Sequence, residues 1–132
     1  MPFRPQDSTL PLTPISFEIL LALLEDDLHG YAILQRVESR TAGLLPLRTG
    51  TLYRALARLE ESGLIDLVER ETTPGVVSKT TPGVVSTFED DRRRYYRITP
   101  KGREVARQEA RRLADQVAAA RARKLLSEPH ER

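Results

Sequence analysis

Apolar residues recur at helical spacing in three early segments and in one long late one. In LTPISFEILLALLED, Ile15, Ile19, Ala22 and Leu23 follow a helical period, while Phe17, Leu20, Leu21 and Leu24 cover a second side. Thr13 is a capping residue, and Pro14 suits the first helical position, where its missing N–H costs nothing. Leu12 and Phe17 are spaced to close a hydrophobic staple over that cap. A helix apolar on so much of its girth needs burial on two sides, by its own core and by a second subunit. Glu25-Asp26-Asp27 ends it, and His29-Gly30 opens the next segment, GYAILQRVESRT, whose Ile33, Leu34 and Val37 make one face before Gly43 stops it. After LLPL comes RTGTLYRALARLEESG, in which Leu52, Leu56 and Leu59 repeat with Ala55 beside them and Gly63 is the stop signal. Three short helices joined by tight turns form a trihelical unit.

The period then changes. Residues 64–70 (LIDLVER) alternate loosely, and RRRYYRI puts Tyr96 and Ile98 on one side and Arg93, Tyr95 and Arg97 on the other, the pattern of a two-stranded hairpin. Between the strands TTPGVVS occurs at 72–78 and again at 80–86, each copy a Pro-Gly turn signal followed by two valines. Two copies are too few for a solenoid and are read as a lengthened hairpin tip. Thr99-Pro100 repeats the cap-then-proline start, and a helix follows to about Leu126. Its Ala106, Ala110, Leu113, Val117 and Ala120 form an a/d seam with small residues, suited to close helix–helix approach. About 25 residues at about 1.5 Å each are too long to lie wholly on so small a domain, so a partner helix is expected.

Composition narrows the class. The 132 residues contain no cysteine, which removes disulfides, zinc ribbons and thiol nucleophiles and points to a reducing, cytoplasmic compartment. No apolar run is long enough to span a bilayer, and MPFRPQDSTLPLTP lacks the apolar core of a signal peptide, so no membrane partner is expected. The net charge of +2 hides an asymmetry: residues 92–132 hold 13 basic and 5 acidic residues, residues 1–91 hold 8 and 14. The split points to a polyanionic partner for the C-terminal part, with a solvated basic helix as the plainer reading.

Three helices and a strand–wing–strand hairpin make a winged helix-turn-helix, whose second motif helix enters the major groove. Projected at about 100° per residue, residues 48–62 turn Leu52, Ala55, Leu56 and Leu59 inward and Gly50, Thr51, Arg54, Ala57, Arg58 and Glu61 outward, with Tyr53 at the boundary. With two arginines, a threonine, small residues and the flanking Tyr53, this outward face fits the groove, and Arg54 or Arg58 can grip guanine bidentately. Arg48 precedes this helix, and Thr49, Gly50 and Thr51 form its N-terminus, whose free amides and positive dipole end favour a phosphate. Arg92, Arg93 and Arg94 lie where the hairpin returns, within reach of phosphate or the minor groove. Strand arginines can also simply keep an edge soluble, but three in succession favour phosphate. Glu89-Asp90-Asp91 just before them can pair with them in the free protein.

HGYAI at 29–33, GTLYRALARLEESGLI at 50–65 and RRRYYRITPKGRE at 92–104 resemble the PadR family of bacterial transcriptional regulators, over about residues 12–125. With one C-terminal helix the chain looks like the short subfamily. The resemblance implies that this helix and the first helix make a homodimer, and that the dimer represses promoters until an effector or stress releases it. It extends to a small-molecule effector, since some members bind aromatic or drug-like compounds at the dimer interface. Thr49 stands where the family often has proline, and the doubled TTPGVVS lengthens the wing. With no tryptophan in the chain, a drug pocket built on interfacial tryptophan is not supported.

The expected architecture is mainly α with a small β-hairpin: a winged helix-turn-helix DNA-binding domain over residues 10–101, a C-terminal dimerisation helix over 102–126, and tails at 1–9 and 127–132. The expected partner is double-stranded DNA carrying a pseudo-palindromic operator. The dimer interface is assigned to Phe17, Leu20, Leu21, Leu24, Ala106, Ala110, Leu113, Val117 and Ala120. No catalytic, metal or cofactor site is expected: His29 beside Glu25, Asp26 and Asp27 crowds one turn without a distant ligand, and is more simply a helix-start residue. No phosphate-cradling glycine loop or nucleophile elbow appears. The competing reading is a winged helix used for protein contacts without specific DNA binding.

Overall fold

Side chains that cap backbone amides mark three of the four helix starts found among the described residues, which are 10–69 and 94–127 of the computed structural model. Helix α1 (Pro14–Glu25) begins on Thr13, whose Oγ1 accepts from Ser16 N at 3.1 Å. Strand β1 (Leu28–His29) runs into α2 (Gly30–Thr41), where His29 Nδ1 accepts from Ala32 N at 3.2 Å. Helix α3 (Thr49–Glu61) starts on Arg48 with no side-chain cap. Strands β2 (Ile65–Glu69) and β3 (Arg94–Ile98) then lead to α4 (Pro100–Ala122), capped by Thr99. The duplicated 72–78 and 80–86 segments, Arg92 and Arg93 lie outside the described residues, as does Glu89-Asp90-Asp91.

The sheet has three strands, not the two expected, in the order β1-β3-β2. Leu28 and His29 pair with Tyr96 and Tyr95 on the free edge of β3. Two residues give too short a pattern to announce a strand, and the acidic run before them reads as a turn. On the other edge β2 pairs antiparallel with β3 from Ile65–Ile98 to Glu69–Arg94. Side-chain alternation matches expectation on β3: Ile98 is buried and Tyr96 packs on the core, while Arg97 points to solvent.

One apolar core unites every element. Ile19, Leu20 and Leu23 of α1 meet Ile33 and Val37 of α2, Leu52, Leu56 and Leu59 of α3, the Leu64-Ile65 entry to β2, and Val105 and Ala106 of α4. Two corrections to the expected interface follow. Leu20 is fully buried in this core and Ala106 is 4% exposed, so neither side chain is free for a second subunit. Periodicity gives the width of an apolar stripe but does not say where the protomer's own core ends. Helix α4 also ends earlier than expected, at Ala122, followed by a left-handed Lys124 (φ 64°). No helix among the described residues is long and apolar enough to cross a membrane.

Two buried carboxylates are each gripped by an arginine, one across helices α1 and α2 and one within α4. Glu18 of α1 is gripped through both oxygens by Arg40 of α2. Glu109 of α4, 2% exposed, receives Arg112 Nε and Nη2 at 2.8 Å each. The Arg112 hydrogen bonds hold the Glu109 carboxyl below its ordinary range, helped by the Leu12 backbone amide ahead of α1. A carboxyl held down in the folded state stabilises it above the unfolded pKa, and that contribution is lost as pH falls through the folded value. Glu109→Gln is therefore expected to lower thermal stability at neutral pH and to flatten its decline below about pH 4.5, the ordinary value. Parallel acid limbs for variant and parent in pH-dependent melting would remove Glu109 from this role.

The start of α4 is locked to the turn after α3. Thr99 Oγ1 accepts from Gly102 N at 2.9 Å and donates to the Gly63 carbonyl at 2.7 Å, while Thr99 N donates to the Leu64 carbonyl at 3.0 Å. A Cβ on Gly102 would stand 2.1 Å from the Leu64 carbonyl oxygen. Gly102→Ala is expected to destabilise the fold by about 3 kcal/mol, because the nearest atom belongs to the Leu64 backbone, which cannot yield. A melting temperature within a degree or two of the parent would contradict this close approach.

Candidate nucleic-acid interface

Helix α3 is divided as its sequence pattern requires. Leu52, Ala55, Leu56 and Leu59 are buried, at 9% exposure or less. Thr49, Gly50, Arg54, Ala57, Arg58 and Glu61 are exposed, and Arg48 precedes them in the open. Thr51 is half-buried, nearer the inner face than projected. A Cβ on Gly50 would lie 3.9 Å from Arg54 Nη2, so the Arg54 guanidinium folds back over the first turn of its own helix. The cation thus lies beside uncapped N-terminal amides, which carry the positive end of the helix dipole.

Tyr53, placed at the boundary by projection, packs partly against the core. Its hydroxyl would stand 2.6 Å from a Cβ on Gly30, so the glycine at the first position of α2 makes room for the tyrosine of α3. Sequence reasoning read Gly30 only as a helix opener. No pattern in the sequence announces this contact, which joins the two helices of the motif.

Ion pairing sorts the arginines. Arg36 lies 3.3 Å from Glu25 and 3.8 Å from Asp26, Arg40 pairs with Glu18, and Arg97 donates to Asp27 at 2.9 Å. On α4, Arg107 and Arg112 pair with Glu104 and Glu109. Arg48, Arg54, Arg58 and Arg94 have no ionic partner among the described residues. Arg94 is exposed at the start of β3, opposite Glu69 at the loop end of the hairpin. Arg103 and Arg111 of α4 also lack a salt bridge among the described residues, so within the three-helix unit the described arginines left without an ionic partner are Arg48, Arg54 and Arg58.

The acidic cluster at the end of α1 is committed elsewhere. Glu25 and Asp26 meet Arg36, Asp27 meets Arg97, and His29 caps α2 with its ring edge-on to Tyr95, centroids 5.7 Å apart. His29 is thus a helix-start residue. The Asp27–Arg97 pair and the β1–β3 ladder, both missed in the sequence, fasten the base of the wing to the entry of α2.

The proposed interface residues divide. Leu24 and Val117 are 36% and 41% exposed, and Ala110 is exposed. Phe17, Leu21, Leu113 and Ala120 are half-buried.

The family model described as the transcriptional regulator PadR-like family matches residues 19–108. The chain belongs to the PadR-like family. Its members are transcriptional regulators, which places this chain among DNA-binding regulators with a winged-helix fold. A transcriptional regulator of Clostridium thermocellum is similar at 28% identity and a TM-score of 0.60, over 86% of this chain and 90% of that one. A PadR family regulator of Clostridium difficile has the same fold, with a TM-score of 0.63 at 23% identity, over 83% and 97%. The PcaV transcriptional regulator of Streptomyces coelicolor, solved in complex with its natural ligand, matches at 25% identity and a TM-score of 0.56, over 84% of this chain and 63% of PcaV. An uncharacterised protein X of Lysinibacillus sphaericus is 31% identical over 85 residues, 64% of each chain, so the match spans less than two thirds of that relative.

For a PadR-like regulator the two classes of unpaired cation have separable effects. Arg54→Ala or Arg58→Ala is expected to cost about 1–3 kcal/mol on the cognate operator and little on random duplex, because a base contact is lost. Arg94→Ala is expected to weaken all duplexes alike and to reduce the salt slope by about one unit. Equal losses on cognate and random DNA for Arg54 and Arg58, in salt-dependent binding titrations, would remove base reading from α3.

Proposed function

We propose that this PadR-like chain is a sequence-specific, homodimeric repressor that an effector or stress signal releases from its operator. The observation that carries the reading is the outer face of α3, where Arg54 and Arg58 stand exposed without an ionic partner among the described residues and Arg48 precedes an uncapped helix N-terminus. The helix presents this face from a scaffold held by four buried apolar residues, so its orientation is set before DNA arrives. Thr49, Gly50 and Thr51 take a backbone phosphate, Arg54 and Arg58 read base edges, and Arg94 supports the wing on the adjacent backbone. Tyr53 acts from behind, by fixing the helix against Gly30.

Dimerisation is supported by what the core leaves uncovered. Beyond the buried Glu109 helix α4 emerges from the core, and Ala110, Leu113, Val117 and Ala120 continue the apolar seam into solvent or half-shelter. Phe17, Leu21 and Leu24 add a second strip on α1. A two-fold dimer built on these strips carries two reading helices to half-sites about one helical turn, 34–36 Å, apart on a pseudo-palindromic operator. Release by a small molecule draws support from PcaV, a structurally similar regulator with a natural ligand.

Footprinting on the DNA flanking the chain's own gene tests the whole reading, with a protected two-fold site as the expected outcome. No preference for that DNA over random duplex at low salt would overturn it in favour of protein contacts. Leu113→Asp with Val117→Asp is expected to give a monomer by sedimentation and to weaken operator binding roughly 100-fold, since the second half-site is lost. A dimer that survives both changes would take α4 out of the interface.

A further inference from the structure

A groove of about 350 Å³ runs between the segment ahead of α1 and the C-terminal half of α3. Leu12, Leu59 and Leu64 give it an apolar wall, and Arg58 is the charged side chain among its lining residues. Its size falls within the range of small-molecule sites, about 300–1,000 Å³. Two polar features of the groove are left unmatched by the fold. Arg58 has no ionic or hydrogen-bonded partner among the described residues. Ser16 is 7% exposed, and its hydroxyl has no hydrogen-bond partner among them either, although it lines the groove. The neighbouring Thr13 hydroxyl is already engaged as the cap of α1. A buried hydroxyl without a partner is costly, and the cost is relieved by an acceptor that enters the site.

We propose that this groove binds a small monocarboxylate with an apolar body, and that its occupation takes Arg58 away from DNA. The guanidinium fork matches a planar carboxylate and grips it through paired N–H donors. The Ser16 hydroxyl donates to the same anion, and the leucine wall buries the hydrocarbon part. A neutral ligand satisfies the wall and the hydroxyl but leaves the cation unused, and an ammonium is repelled by Arg58. The carboxylate and the base edge compete for one side chain, so ligand binding and specific DNA binding are mutually unfavourable without any movement of helices. This second clause rests on the proposed reading of DNA by α3; the groove itself does not.

Amide NMR titration of the full chain, without DNA, with sodium hexanoate and with hexanamide as its neutral counterpart tests the site. Hexanoate is expected to shift Leu12, Ser16, Leu59 and Leu64 and to bind roughly tenfold more tightly than hexanamide. Arg58→Gln is expected to abolish that difference while leaving the spectrum folded, and Ser16→Ala to weaken hexanoate while keeping the preference. Equal binding of the two compounds, no shifts in the groove, or shifts confined to the Leu113 and Val117 face would overturn the site. A second titration follows operator DNA binding against hexanoate, with a rise in the apparent Kd expected for the parent and none for Arg58→Gln. Hexanoate bound in the groove with operator affinity unchanged would overturn the competition. Groove binding that depends on Arg58, in a protein that fails to prefer its operator, would sustain the site and overturn the DNA reading alone.

Discussion

The rest of the structure depends on one close backbone approach, that of Gly102 to the Leu64 carbonyl. At this point the end of α3, the start of β2, the end of β3 and the start of α4 meet within a few residues. A side chain of any size at position 102 would hold α4 off the sheet, since the space belongs to Leu64 backbone and Ile98. Thr99 completes the junction by using one hydroxyl twice, as acceptor for the α4 amide and donor to the Gly63 carbonyl. Lys101 adds a bond from Nζ to the Ser62 carbonyl at 2.9 Å, over the end of α3. The carbonyls that a helix end leaves without partners are thus taken by the next helix. The end of α3 and the start of α4 are bonded directly to each other.

A second constraint operates at the other end of the domain. The acidic residues that end α1 look like a solvated turn, yet each reaches an arginine on α2 or β3. Isolated, exposed pairs of this kind contribute little stability. Their position gives them a different weight: Asp27–Arg97 and the two-residue β1 ladder fix the wing base to the entry of α2, where His29 is already the cap. Strand β3 is thereby joined to the entry of α2 as well as to β2.

The legibility of the chain follows the range of the forces that decide each feature. Caps at Thr13 and Thr99, the inward leucines of α3 and the two faces of β3 are set by neighbours a few residues away, and the sequence carries them. β1 is a strand only because β3 offers an open edge at Tyr95 and Tyr96, a contact across most of the chain. Leu20 and Ala106 belong to apolar stripes that are continuous in sequence but divided in space, one part inside the protomer and one outside. Tyr53 shows the same limit on the candidate site. Its angle around α3 is legible, but its burial depends on the missing side chain of Gly30 on another helix.

Charge is where summation misleads most. The basic excess of the C-terminal part points to a polyanion, and α4 carries much of it. On α4, however, Arg107 and Arg112 are matched by carboxylates on the same helix, Arg121 and the C-cap Arg123 donate to backbone carbonyls, and Arg103 and Arg111 are left without a salt bridge among the described residues. The N-terminal part is acidic as a whole, and its acids are consumed by Arg36, Arg40 and Arg97. What remains without a partner among the described residues on that acidic side is Arg48, Arg54 and Arg58, three cations on one helix. An attractive field at short range is set by the charges that stay unpaired, because a matched pair appears as a dipole and decays faster with distance than a single charge. The weakly basic total is therefore compatible with a strongly directed face. The proposed DNA-contacting face thus lies on the part of the chain whose overall charge is negative.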